Sequence, residues 1–263
     1  MLFSLRKYVE FYFTAKTKYG IHSPFLFDFI EQVYESHTNY YSFSAIEYVR
    51  NKLKKTHQLI NVKDFGAGSK RMTFSGQRKI SEIATHSLQQ PKMSALLFRL
   101  INFYSLKPIV VELGTSLGIC TAYLSTANKK NKIYTIEGCD ETAEVAKGVF
   151  KQLGLKNIEL IVGNFDSILP KLEFSDSPGF VYIDGNHRKE ATLKYFDWAI
   201  EKVNEQSIVV VDDIYWSKEM FAAWEKIKFN DSVTLSIDLY KLGIVFFRKV
   251  NVKEHYKIRK SLF

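Results

Sequence analysis

Between residues 109 and 212 the chain repeats one pattern five times: a short β-branched apolar run, a polar or acidic residue at or just past its end, then apolar residues at helical spacing. The runs cover 109–113, 132–137, 158–162, 180–184 and 208–212, and helices are expected over about 119–127, 141–153, 166–172, 189–203 and 217–227. Runs this apolar belong to strands covered on both faces, and regular strand–helix alternation produces a parallel sheet. The end differs. Two further runs, 233–239 and 244–248, flank Tyr240-Lys241-Leu242-Gly243 and read as an antiparallel hairpin with glycine in its turn.

Open α/β sheets bind ligands beyond the carboxyl ends of their strands. Here those ends carry Glu112, Glu137, Asn164, Asp184, Asp212 and Asp213. Placing a carboxylate at the end of a buried strand costs free energy unless something pairs with it. Any one of these residues could cap the next helix; for all of them together that is a poor explanation. The first run passes into Glu112-Leu113-Gly114-Thr115-Ser116-Leu117-Gly118, a strand, tight turn and helix start. Glycines there let the backbone reach positive φ and approach a ligand, while the helix offers unpaired N–H groups. Taken alone, the turn also fits an ordinary strand-to-helix connection. Glu137, followed by Gly138, falls about 20 residues later, the distance at which a carboxylate on the next strand accepts from ribose hydroxyls. Asn164 and Phe165 follow the third strand, where an amide and a ring could bind and stack an adenine. A nicotinamide dehydrogenase shares these two features, but not the terminal hairpin or the three aspartates at the fourth and fifth strand ends.

In that order, Glu112-x-Gly114-x-x-x-Gly118, Glu137, Gly163-Asn164, Asp184 and Asp212-Asp213 resemble the motifs of the class I S-adenosylmethionine-dependent methyltransferases, over about residues 105–248. The resemblance implies a Rossmann-like, seven-stranded, mostly parallel sheet of order 3-2-1-4-5-7-6 with an antiparallel last strand. It implies S-adenosylmethionine as cofactor, bound by Glu112, Gly114, Thr115, Ser116, Gly118, Glu137, Gly138, Asn164, Phe165 and Asp184. Ser116 stands where a middle glycine is common in the family, a variant similar to the small-molecule O-methyltransferase branch with its catechol- and macrocin-type enzymes. That branch implies a divalent cation, usually Mg²⁺, on Asp184, Asp212 and Asp213. Hard oxygen ligands suit Mg²⁺, which would lower the pKa of an acceptor hydroxyl. Catechol-type enzymes carry a lysine base three residues after the first metal aspartate; here that position is His187, so His187 and Asp184 are the catalytic candidates. A histidine base suits near-neutral pH. The alternatives are that His187 is a turn residue bonding backbone or cofactor, and that the aspartates only position cofactor and substrate. Asn186 stands where macrocin-type enzymes place an aspartate, and it cannot take a proton.

The remainder of the chain reads as support. Residues 1–60 suggest helices over 5–18, 25–34 and 44–55, interrupted at Gly20-Ile21-His22-Ser23-Pro24, with Ser23 as N-cap and His22 a structural turn residue. Helices are also expected over 80–86 and 93–104. The organisation expected is a helical cap or lid over 1–104 and a methyltransferase domain over 105–263. Asp64-x-Gly66-x-Gly68, with Lys70, Arg71, Arg78 and Lys79 around it, reads as a glycine-rich loop facing substrate. Two cysteines, Cys120 and Cys139, make no disulfide framework and suggest buried residues in a reducing cytoplasm. No apolar run approaches the roughly 20 residues of a membrane helix. The net charge of +9 comes from scattered lysines, which speaks against nucleic acid as partner. The function expected is O-methylation of a hydroxyl on a small molecule. The alternative is an RNA- or protein-binding module, or an RNA or protein methyltransferase, using the basic surface. A homodimer is as open as a monomer.

Overall fold

In the computed structural model the described residues are 2–63, 76–104, 106–250 and 252–261. In chain order the elements are α1 (Leu2–Thr14), α2 (Pro24–Asp28), a π turn (Phe29–Tyr34), α3 (Tyr41–Leu53), β1 (Leu59–Val62), β2 (Gly76–Lys79), α4 (Ile80–His86), α5 (Pro91–Phe103), β3 (Ile109–Leu113), α6 (Ile119–Ala127), β4 (Lys132–Glu137), α7 (Asp140–Gln152), β5 (Ile158–Val162), α8 (Phe165–Ile168), β6 (Phe180–Ile183), α9 (Lys189–Lys202), β7 (Ile208–Asp212), α10 (Lys218–Lys228), β8 (Leu235–Asp238), β9 (Leu242–Phe246) and β10 (Glu254–Lys257). They fall into two compact units, Thr38–Ser175 and Met1–His37 with Asp176–Phe263.

In the 38–175 unit, β3, β4 and β5 run parallel in the order β3-β4-β5, with Glu112 opposite Thr135 and Ile136 opposite Ile161. All five residues of β3 are buried, and each fully buried valine or isoleucine contributes about 1.5–3 kcal/mol. The N-terminal helices of this unit pack on α6: Phe43 lies 4.8 Å from the Tyr123 ring and 4.9 Å from that of Phe98. A buried Arg50 ties α3 down, donating to Glu47 at 2.9 Å and to the Gln89 carbonyl at 2.8 Å, while the Tyr123 hydroxyl also donates to Glu47. Residues 59–62 and 76–79, expected as part of a helix-rich stretch and a loop, form instead the antiparallel hairpin β1–β2, with Asn61 opposite Gln77. Leu59-Ile60-Asn61-Val62 alternates exposed and buried residues, the period of a half-covered strand that four residues are too short to announce. Asp64, Gly66, Gly68, Lys70 and Arg71 lie outside the described residues.

In the other unit β6 and β7 are parallel, β9 pairs antiparallel with both β7 and β8, and β10 adds a parallel strand on β8. The fold is therefore mixed α/β with a mostly parallel sheet. The expected order appears as 3-2-1 in one unit and 4-5-7-6 in the other, but β10 is a strand beyond the expected seven. Its sequence, Glu254-His255-Tyr256-Lys257, is polar because it is an edge strand. The expected glycine turn of the last hairpin is also corrected. Tyr240 takes the left-handed conformation there (φ 68°), held by its N–H donating to Asp238, whereas Gly243 lies inside β9 where the fully buried Trp224 ring would overlap any Cβ. Gly243 is thus required by packing. Helix α1 is fixed in this unit through Tyr240, whose hydroxyl donates to the Ser4 carbonyl at 2.7 Å and whose ring stacks on Tyr215 at 4.7 Å. Ser23 precedes α2 as expected, with Pro24 at its first position, but its hydroxyl makes no capping hydrogen bond.

Candidate active site

The cradle of the 38–175 unit begins where β3 ends. Gly114 (φ 108°) and Gly118 (φ 79°) have backbone conformations that L side chains rarely adopt, and Ser116 shares the left-handed region at φ 49°. The turn is pinned by the Gly114 N–H donating to the Ile136 carbonyl at 3.0 Å and the Gly118 N–H to the Thr115 carbonyl at 2.9 Å. Gly118 is needed twice over, because a Cβ there would also sit 2.6 Å from the Phe150 ring. The Ser116 N–H then donates to Glu137 Oε2 at 2.8 Å, and the Cys139 N–H to Glu137 Oε1 at 3.0 Å. Two turns from adjacent strands are thereby brought to one carboxylate.

Glu112 is fully buried beneath this turn. Its Oε2 accepts from Thr121 at 2.5 Å and from Thr135 at 2.7 Å. Thr135 spends its single proton on Glu112, so the Thr115 hydroxyl, 2.6 Å away, donates to Thr135. Burial pushes the Glu112 carboxyl up to about 7, against the pull of Thr121, Thr135 and the nearby Cys120 thiol. Among the described residues its Oε1 is buried with no hydrogen-bond partner. An orphaned acceptor is the kind of group a cationic ligand satisfies. Thr121 and Thr135 were not anticipated; the β3–β4 register, which sets Thr135 opposite Glu112, is the signal that would have found one of them. Gly138 is half-buried in the β4–α7 turn. Asn164 caps α8, its Oδ1 accepting from the Asp166 N–H at 2.8 Å, which leaves the side-chain NH₂ for a ligand. Phe165 follows it, half-buried.

The other unit holds the second group of expected residues. Asp184, just past β6, accepts from the Tyr182 hydroxyl at 3.0 Å and lies 3.7 Å from His187 Nε2. Asn186 between them adopts φ 64° and is anchored by its NH₂ donating to the Tyr195 hydroxyl at 3.1 Å. The His187 ring lies 6.4 Å from Trp216. Asp213 is also left-handed (φ 51°), and its carbonyl accepts from the Trp216 N–H. Asp212 is buried, and its carboxyl is pushed well above the usual range, first by burial and then by the charges of Asp184 and Asp213 and a hydrogen bond shared with Asp184.

The two ligand sets fare differently. The buried, orphaned Glu112 oxygen and the Gly114–Gly118 turn tied to the Glu137 carboxylate fit an adenosyl sulfonium compound. The cation expected on Asp184, Asp212 and Asp213 fits poorly: among the described residues no group of three or more His, Cys, Asp or Glu side chains is arranged to hold a metal ion.

The architecture is a Rossmann-like α/β fold, and residues 111–214 match a family model described as a methyltransferase domain. More particularly, the chain is 32% identical over 111 residues to the O-methyltransferase imqG of Aspergillus flavus, covering 40% of this chain and 44% of that protein. It is 32% identical over 108 residues to a catechol O-methyltransferase of Mycobacterium tuberculosis, covering 40% and 47%. The matched stretch thus spans less than half the length of these curated relatives. Among solved structures it resembles the O-methyltransferase TomG of Streptomyces achromogenes, solved with S-adenosylmethionine, at a TM-score of 0.58 and 16% identity over 81% of this chain and 92% of that one. Among the described residues no helix is long and apolar enough to cross a membrane.

Proposed function

We propose that this chain is an S-adenosylmethionine-dependent O-methyltransferase acting on a hydroxyl of a small molecule. The observation that carries the reading is the joining of the Gly114–Gly118 turn to Glu137 through the Ser116 N–H, above a buried Glu112 with an orphaned oxygen. The relatives are named as O-methyltransferases, which supports the same reaction here. When bound, the cofactor supplies an electrophilic methyl group on a sulfonium. Glu137 takes the ribose hydroxyls, Asn164 and Phe165 the adenine, and Glu112 with the Gly114–Gly118 backbone supports the cationic end.

On the acceptor side, His187 would take the proton of the acceptor hydroxyl on its imidazole, and Asp184 at 3.7 Å would orient the ring and stabilise the imidazolium. Trp216 presents an apolar wall beside that ring. No step is assigned to Mg²⁺. The helices within 1–104 act on the substrate side, and two free, buried cysteines suit a reducing cytoplasm.

Calorimetric titration with S-adenosylmethionine tests the reading. Binding of one equivalent, lost in Glu137→Ala while the fold persists by circular dichroism, is expected. A folded protein with intact Gly114 and Glu137 that binds neither S-adenosylmethionine nor S-adenosylhomocysteine overturns it.

A further inference from the structure

The hairpin β1–β2 belongs to none of the roles above, yet one of its residues is stitched to the turn that carries Glu137. The Asn61 N–H donates to Glu141 Oε2 at 2.7 Å and its side-chain NH₂ to Glu141 Oε1 at 2.6 Å, so the carboxylate is gripped at both oxygens. The Asn61 carbonyl in turn accepts from the Cys139 thiol at 3.2 Å. Cys139 is the residue whose N–H holds Glu137 Oε1. Lys63 Nζ and Asp140, 4.0 Å apart, add a weak contact along the same edge.

Three consecutive residues, Cys139 to Glu141, the N-cap and first two residues of α7, therefore each have a partner on β1 or directly after it. The hydrogen bonds made by Asn61 fall on the first and last of them. The Glu141 carboxylate is held in its charged form by Asn61, side chain first and backbone second. It also lies in the first turn of α7, where a negative charge is favoured. A free β4–α7 turn would let the Cys139 N–H swing away from Glu137, and Glu137 would then lose an orienting donor.

We infer that the β1–β2 hairpin is a clip for the nucleoside end of the site, with Asn61 and Glu141 as positioning residues that act on ligand binding through Cys139 and Glu137. The inference rests on the cofactor reading given above and extends it to a segment outside the matched domain. The clip belongs to this chain's own N-terminal segment, so it makes ribose recognition depend on residues far upstream of the cradle.

A double-mutant cycle in the full chain tests it, read as the Kd for S-adenosylhomocysteine by calorimetry. Glu141→Ala, which removes both acceptors, is expected to weaken binding about fivefold, and Glu141→Gln, which keeps one, by less. In a Glu137→Gln background the same Glu141→Ala change is expected to have little further effect, because the groups act in series. The acceptor KM at saturating S-adenosylmethionine should stay unchanged, a split that general destabilisation would not produce. Asn61→Ala serves as the second variant, because the Asn61 backbone N–H still reaches Glu141 and folding is spared. If the wild type binds S-adenosylhomocysteine while Glu141→Ala binds it equally well, or weakens it by the same factor with and without Glu137, the clip is disproved. If the wild type does not bind, it is the cofactor reading that has failed.

Discussion

The Glu112–Glu137 cradle and the Asp184–Asp212–Asp213 group both gather carboxylates at strand ends, and they solve the resulting electrostatic problem in opposite ways. In the cradle each carboxylate is met by neutral donors: threonine hydroxyls for Glu112, backbone N–H groups for Glu137. In the aspartate group the carboxylates face one another, and burial together with the charges of Asp184 and Asp213 pushes the Asp212 carboxyl well above its usual range. Donors that are fixed in the backbone or on buried strands form a preorganised site for a cation-bearing ligand. Carboxyls that share a proton form a site whose charge depends on pH and on what binds. The first arrangement is suited to holding a cofactor and the second to handling an acceptor's proton.

The sharpest way to break this contrast is at His187. His187→Ala is expected to lower kcat by roughly 10² to 10⁴-fold, with the Kd for S-adenosylmethionine unchanged. A variant that loses cofactor affinity instead would mean that His187 serves the cofactor. On the cradle side, Gly118→Val forces a β-branched residue into φ 79° and into the Phe150 ring. A loss of about 3 kcal/mol in chemical denaturation, together with loss of cofactor binding, is the expected result.

Glu112 offers a pH test with a definite sign. Its carboxyl titrates near 7 when folded against 4.5 as the ordinary value, so between those pH values the folded protein holds a proton that the unfolded chain has released. Stability from this group is complete below about 4.5, declines as pH rises, and is lost above about 7. Glu112→Gln is expected to flatten that decline in thermal melts of the ligand-free protein; an unchanged slope would place the titration elsewhere. Thr135→Val should shift the Glu112 titration further up and cost about 1 kcal/mol, readable in the same melts. The smallest effect is expected from EDTA. Turnover that survives chelation keeps the aspartates in a protonic role, whereas loss of activity restored by Mg²⁺ would return them to the metal.

How much of this was legible depended on whether the signal was local. The cradle was readable because Gly114, Gly118 and Glu137 obey fixed offsets along one strand–turn–helix unit. The hairpin β1–β2 was not, since four-residue strands carry too little periodicity and Asn61 meets Glu141 across 80 positions. Gly243 looked like a turn residue, and only the place of Trp224 in the packed unit shows why a side chain is excluded there.

The sequence by itself determined the alternating α/β architecture, the placement of acids at the strand ends and the need for glycine at 114 and 118, because strand periodicity and positive φ are properties of neighbouring residues. Tertiary structure alone decided which carboxylates are neutralised and how. Protonation follows burial and the groups supplied by residues distant in the chain: Thr135 opposite Glu112, Ser116 beside Glu137, Asp184 against Asp212.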